Sequence, residues 1–163
     1  MLREIKNNLK EHEIPEFYSK IIHEFVEKLS SFVRITGVLL YGSVARGSAI
    51  YRKSDIDLII VSPDFPEDYS ELIKLRRKIR PMLPGGVDSL WVSEKELEQM
   101  FLGLTGFILD ALYEGIILYD ENGFLSSLRN RLLRCIEKGV LKRYGRMWML
   151  PVKKFGEKVE VKI

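Results

Sequence analysis

Apolar positions recur along this chain at two different periods, and the change between them marks out helices and strands. Phe17, Ile21, Phe25, Leu29 and Phe32 fall three or four residues apart, which predicts an amphipathic helix over 16–33. Pro15 suits the first turn of such a helix. The run Ile35-Thr36-Gly37-Val38-Leu39-Leu40-Tyr41 then reads as a short buried strand ending at Gly42. A second apolar run, Ile56 to Val61, follows Asp55, and a third, Val87 to Val92, follows the turn Pro84-Gly85-Gly86. Between these two runs, 62–68 is a polar turn with two prolines. A basic helix is predicted over 69–82, containing Lys74, Arg76, Arg77, Lys78 and Arg80. Its cations are expected to form a solvated face on a helix covering one side of a sheet.

The remaining elements are marked by their ends. Ser93-Glu94-Lys95-Glu96 is a capping box that starts a helix running towards Phe101. Phe107, Ile108, Ala111 and Leu112 predict another short helix from Gly106, stopped by Gly115. Ile116 to Tyr119 is a brief apolar segment, and Asp120 to Gly123 is a turn. A longer helix over 124–138 ends at Gly139, which suits a C-cap. No internal repeat or low-complexity segment is visible.

Composition adds boundaries. With 163 residues, 46% hydrophobic and 30% charged, the chain is expected to be one domain, or one with a short appendage, with a sizeable core. No apolar run reaches the ~18 residues needed to span a membrane, and Met1 to Lys6 lacks a signal-peptide core. The single Cys135 excludes an internal disulfide framework and fits a reducing cytoplasm. Its phase with Leu128, Leu132 and Ile136 makes it a core residue. His12 and His23 are isolated and expected to be solvated, so they build no metal site. A single glutamine, Gln99, among many Lys, Arg and Glu fits a heat-adapted source.

The net charge of +3 is too mild to imply nucleic acid by itself. The end of the chain is more basic. Arg129, Arg131, Arg134, Lys138, Lys142, Arg143, Arg146, Lys153 and Lys154 are interrupted by one acid, Glu137, with Tyr144 and Trp148 among them. Such a segment could hold single-stranded nucleic acid through phosphate pairing and base stacking. It could equally hold nucleotide phosphates or a protein, or pack as an extended tail; nucleic acid is not the favoured partner.

The chemistry concentrates in two stretches. Gly42-Ser43-Val44-Ala45-Arg46-Gly47 leaves the first strand as a small-residue turn. Gly42 and Ser43 let backbone approach a ligand closely, and Ser43 adds a hydroxyl. A helical turn beginning at Val44 would aim free N–H groups at an anion, and Arg46 supplies a charge that pairs with phosphate. Taken alone, this is also an ordinary strand-to-helix turn. Asp55 and Asp57, two apart at the next strand, share one face. Such paired hard oxygen ligands suit Mg²⁺, although two surface acids before a strand would look the same. Asp88 lies inside an apolar strand, where a carboxylate is costly unless paired, hydrogen-bonded or metal-bound. It could bridge a second metal or take a proton from an attacking hydroxyl, or else sit on an exposed edge. A P-loop is excluded, because Ser48-Ala49 stands where Lys and Ser/Thr would be needed after Gly47.

These residues resemble the nucleotidyltransferase superfamily typified by DNA polymerase beta, and more closely its minimal nucleotidyltransferases. The family's Gly-Ser-x-Ala-Arg-Gly turn is matched by Gly42 to Gly47, its Asp-x-Asp pair by Asp55 and Asp57, and its third acid by Asp88. The segment between Ser43 and Asp55, Val44 to Ser54, is one residue longer than in many minimal members, and the loop over 48–53 can absorb it. The resemblance implies an α/β (α+β) fold: a mixed β-sheet flanked by helices, the polymerase beta-like palm. A core over 1–105 and a helical, basic extension over 106–163 complete that picture. It implies transfer of a nucleoside monophosphate from a nucleoside triphosphate to an acceptor hydroxyl, releasing pyrophosphate. Gly42, Ser43 and Arg46 would bind the nucleotide. Asp55, Asp57 and Asp88 would be catalytic and hold Mg²⁺, two ions expected, with Mn²⁺ an alternative. Minimal members also act as antitoxin-like regulators of a helical HEPN-type protein, some by transferring AMP onto it. A partner of that kind could dock on the helices beyond Gly106. The base and the acceptor are not legible in the sequence.

Overall fold

The structure is a computed structural model that describes residues 1–150. Four strands form the main sheet: β1 (Gly37–Tyr41), β2 (Ile56–Val61), β3 (Val87–Val92) and β4 (Ile116–Asp120). Their order is β3-β2-β1-β4. β1 runs antiparallel to both neighbours, whereas β2 and β3 are parallel, so the sheet is mixed. The brief apolar segment after Gly115 is thus an edge strand, paired to β1 with a register shift between Val38 and Leu39.

Helices cover both faces, which is why the central strands read as continuous apolar runs. Strand alternation sorts their residues into two clusters. Val38, Leu40, Leu58, Ile60 and Trp91 pack on one face with α1 (Leu2–Glu11), α2 (Glu16–Ser30) and α4 (Tyr69–Ile79). Leu39, Ile59, Val61 and Val92 pack on the other with α5 (Glu94–Leu102), α6 (Gly106–Glu114) and α7 (Phe124–Glu137). The four-residue α3 (Gly42–Ala45) joins the end of β1 to the loop before β2.

The sequence expectations are met at most boundaries and corrected at four places. The charged N-terminal segment is a helix, because Ile5 and Leu9, four apart, are buried and pack it on the sheet. The helix expected over 16–33 ends at Ser30, and its buried stripe is Tyr18, Ile22, Phe25, Val26 and Leu29. Phe32 stays 45% exposed. The cations over 69–82 do more than solvate a face. Arg76 donates to the Ser89 carbonyl at 3.1 Å, and Arg80 donates to the Pro84 and Val87 carbonyls at 2.9 Å, tying the helix to the entry of β3. Finally, the chain beyond α7 forms a hairpin of β5 (Lys142–Tyr144) and β6 (Met147–Met149). Arg143 and Trp148 face each other in register and are half-buried, while Tyr144, Met147 and Met149 are exposed, the period-2 signature of a ribbon with one face covered.

Candidate active site

Register builds the site. Tyr41, the last residue of β1, lies opposite Asp57, and Asp57 lies opposite Asp88. Residues directly opposite one another project to the same side of a sheet, on strands about 4.8 Å apart. The phenol and two carboxylates therefore form one row across the sheet, on the face covered by α5, α6 and α7. Asp55 sits just before β2, in phase with Asp57. Asp57 is half-buried, and Asp55 and Asp88 are exposed.

The row is electrostatically tense. Burial first, then the charges of Asp88 and Asp55, hold the Asp57 carboxyl above the usual range, while Arg46 pulls in the opposite direction. Burial, then Asp57 and Asp88, push the Tyr41 phenol up to about 12. Among the described residues, none of the three carboxylates accepts a hydrogen bond or joins an ion pair. Nor do any three carboxylate, imidazole or thiol groups among these residues converge into a closed metal cage. This donor set nevertheless fits a hard divalent cation: such an ion needs one or two carboxylates, filling its other positions with water and substrate phosphate. An open row of like charges is what it would relieve.

Gly42 seats the turn against this row. Its φ is +73°, and a Cβ built there would run into Asp57 Oδ2 and stand 2.8 Å from Asp57 Cγ. Only glycine both adopts that backbone cheaply and lets the carboxylate lie on its α-carbon. Val44 is buried beneath the turn, and the Ser43 carbonyl accepts from Ser48 N at 3.0 Å. The following segment over 48–53 is a loop, as expected. There Ser54 Oγ accepts from Ile50 N at 2.9 Å, and Tyr18 Oη donates to the Ile50 carbonyl at 3.0 Å.

Arg46, read from the sequence as a charge that pairs with phosphate, has a protein partner in the structure. Its Nη1 donates to Glu114 Oε1 at 2.9 Å, and Arg143 Nη2 donates to Glu114 Oε2 at 2.8 Å. Arg143 also reaches Asp110 at 3.1 Å and stacks over Tyr113, 4.7 Å from the ring centroid. Other cations of the basic segment are taken up internally too. Arg129 donates to the Leu112 and Gly115 carbonyls at 2.8 and 2.7 Å, and Arg131 pairs with Glu98. These pairings weaken the case for a nucleic-acid surface here; Lys153 and Lys154 lie outside the described residues. Sequence reasoning missed Tyr41, Glu114 and Arg143 at the site. The first could have been found by carrying the Asp57 register back to β1, but nothing local in the sequence signals the other two.

A family model for the nucleotidyltransferase domain matches residues 19–117. No curated protein matches the chain. Similar solved structures include a toxin–antitoxin with AMP-PNP, 18% identical, covering 71% of this chain and 86% of that one with a TM-score of 0.42. A candidate nucleotidyltransferase from Sulfolobus solfataricus is 20% identical over 70% of this chain and 84% of its own, with a TM-score of 0.41. A mutant of the toxin–antitoxin MntA-HpeT is 17% identical over 73% and 86%, with a TM-score of 0.41. The family match runs from α2 through the Gly42 turn and all three aspartates into β4, and the chain belongs to the nucleotidyltransferase domain family.

Proposed function

We propose that this enzyme transfers a nucleoside monophosphate from a nucleoside triphosphate to an acceptor hydroxyl with the help of divalent metal ions. The observation that carries the reading is the in-register row of Tyr41, Asp57 and Asp88 lying against Gly42. In this reading Gly42 and Ser43 offer backbone to the triphosphate, and Arg46 offers its guanidinium. Asp55, Asp57 and Asp88 would hold Mg²⁺, as two ions, or Mn²⁺ in its place. When bound, such ions neutralise triphosphate charge and stabilise the entering and leaving oxygens. The bond from the acceptor oxygen to the α-phosphorus forms as the bond to pyrophosphate breaks. The acceptor's proton passes to a carboxylate at the rim, for which Asp88 is exposed and in line with Asp57. In this reading residues 1–105 serve as the catalytic core and 106–163 as its extension, whose described part supplies β4 to the sheet and α6 and α7 to its second face. No described helix is long and apolar enough to cross a membrane.

A second reading keeps this site and makes a helical protein both acceptor and regulatory partner. It draws on the exposed apolar side of the hairpin, Tyr144, Met147 and Met149. Pyrophosphate release, measured with and without Mg²⁺ for hydroxyl-bearing small molecules, nucleic acids and a co-expressed helical protein, tests both. Asp55→Asn and Asp57→Asn should each abolish release. Unchanged turnover in both variants would end the mechanism, and labelling of the helical protein alone would select the second reading.

A further inference from the structure

The C-terminal hairpin is wired to the nucleotide turn through one carboxylate. α6 ends hard against β1: a Cβ on Gly115 would stand 2.8 Å from the Leu40 carbonyl and would collide with the Ala111 carbonyl. That close approach fixes Glu114, the residue before it, beside the strand end from which the Gly42 turn departs. Arg129 of α7 holds the same helix end through the Leu112 and Gly115 carbonyls. Glu114 then divides its two oxygens, Oε1 to Arg46 of the turn and Oε2 to Arg143 of β5. The side chains of Glu114, Arg143 and Arg46 are 21%, 17% and 29% exposed, so the bond to Arg143 is partly buried while the bond to Arg46 stays open to water. Burial alone would raise the Glu114 pKa, yet the bonds from Arg143 and Arg46 carry it below the usual range. Arg143 is itself locked from several sides. Asp110 accepts from it, and Tyr113 and Trp148 flank its guanidinium at 4.7 and 5.6 Å. Trp148 Nε1 also donates to Asp110 at 3.0 Å.

We propose that Glu114 is a positioning residue that aims the Arg46 guanidinium at the triphosphate, and that Arg143 fixes the Glu114 carboxylate for this task. The inference rests on the nucleotide reading of the Gly42–Gly47 turn. Without Glu114, Arg46 keeps its charge but loses its direction. Without Arg143, Oε2 is free and the carboxylate can rotate away from Arg46. The hairpin thereby contributes to nucleotide affinity without touching the nucleotide.

The test is a double-mutant cycle on the full chain, using Mg²⁺ with inorganic tripolyphosphate, a base-independent probe, and Mg²⁺ with ATP in parallel. Calorimetric Kd values are the readout, and thermal unfolding reports the fold of each variant. Arg46→Ala should weaken binding about tenfold, the loss of a charge-assisted contact. Glu114→Ala should weaken it severalfold, and should add nothing in the Arg46→Ala background. Glu114→Gln, which keeps an oxygen facing Arg46 Nη1, should recover most of the loss, and Arg143→Met should reproduce part of it. The ¹⁵N guanidinium NMR signal of Arg46 should shift in Glu114→Ala without any nucleotide present. Unchanged or tighter binding in Glu114→Ala, with Arg46→Ala still impaired, would overturn the inference alone. Failure of the wild-type protein to bind either probe would overturn the nucleotide reading and the inference with it.

Discussion

Replacing Gly42 with alanine isolates the contact on which the site is built. The backbone there has a φ of +73°, and an L-residue held in that region costs about 1–2 kcal/mol. The new methyl would also occupy the space of Asp57 Oδ2 and stand 2.8 Å from Cγ, an overpacking that costs roughly 1–3 kcal/mol. Together these predict a loss of about 2–5 kcal/mol. In a chain of this size each kcal/mol lowers Tm by about 2–4 °C. The expected fall is therefore roughly 4–20 °C, read by thermal unfolding without nucleotide. Asp57→Ala in the Gly42→Ala background separates the two costs. It removes Oδ2 and Cγ and leaves Asp57 Cβ at 3.2 Å as the nearest Asp57 atom. The collision should vanish while the backbone cost remains, giving a coupling of about 1–3 kcal/mol between the substitutions. Additivity within about 0.5 kcal/mol would refute the argument that Asp57 lies on the Gly42 α-carbon.

Other consequences are as direct. Asp57 binds its proton more tightly folded than unfolded, so metal-free stability should fall as pH rises from the ordinary carboxylate range through its elevated folded pKa. Asp57→Asn should flatten that slope and make the metal-free protein more stable than wild type at neutral pH; an unchanged slope in urea unfolding across pH 4–8 would contradict the assigned strain. Arg129→Met removes two charge-assisted bonds to the end of α6 and should cost about 2–4 kcal/mol, measured by urea unfolding. A loss under about 0.5 kcal/mol would show those carbonyls to be hydrated instead.

Most of the fold was legible because local signals and tertiary demands agree. The capping box at Ser93 and Glu96 is present with both of its bonds, and the apolar runs became strands of a sheet covered on both faces. Expectation failed where burial is carried by few residues. The first helix buries Ile5 and Leu9, with Leu2 partly buried against the same core, in a pattern otherwise dominated by charge. The stripe of α2 is shifted around the helix, since Tyr18 and Ile22 fit the sheet and Phe32 does not. The hairpin was hidden because its inward pair, Arg143 and Trp148, is polar at its tips, so the alternation does not read as apolar against polar.

The same distinction explains why the alignment of the aspartates on one face was legible in the sequence and the Glu114 bridge was not. Asp55, Asp57 and Asp88 stand at strand ends, where a period of two and the pairing of neighbouring strands bring distant residues to one face. Glu114 reaches Arg46 across 68 residues, and the separation is closed only by the approach of Gly115 to the Leu40 carbonyl. A salt bridge set by helix–sheet docking leaves no periodic trace in the sequence. What the sequence did record was its electrostatic residue, an excess of arginine near the end of the chain with almost no acid beside it. The acids that answer Arg131 and Arg143 lie on α5 and α6, at Glu98, Asp110 and Glu114. A basic run is therefore a question about where its counter-charges fold to, and for Arg143 the answer is the carboxylate that also holds Arg46 beside the Gly42 turn.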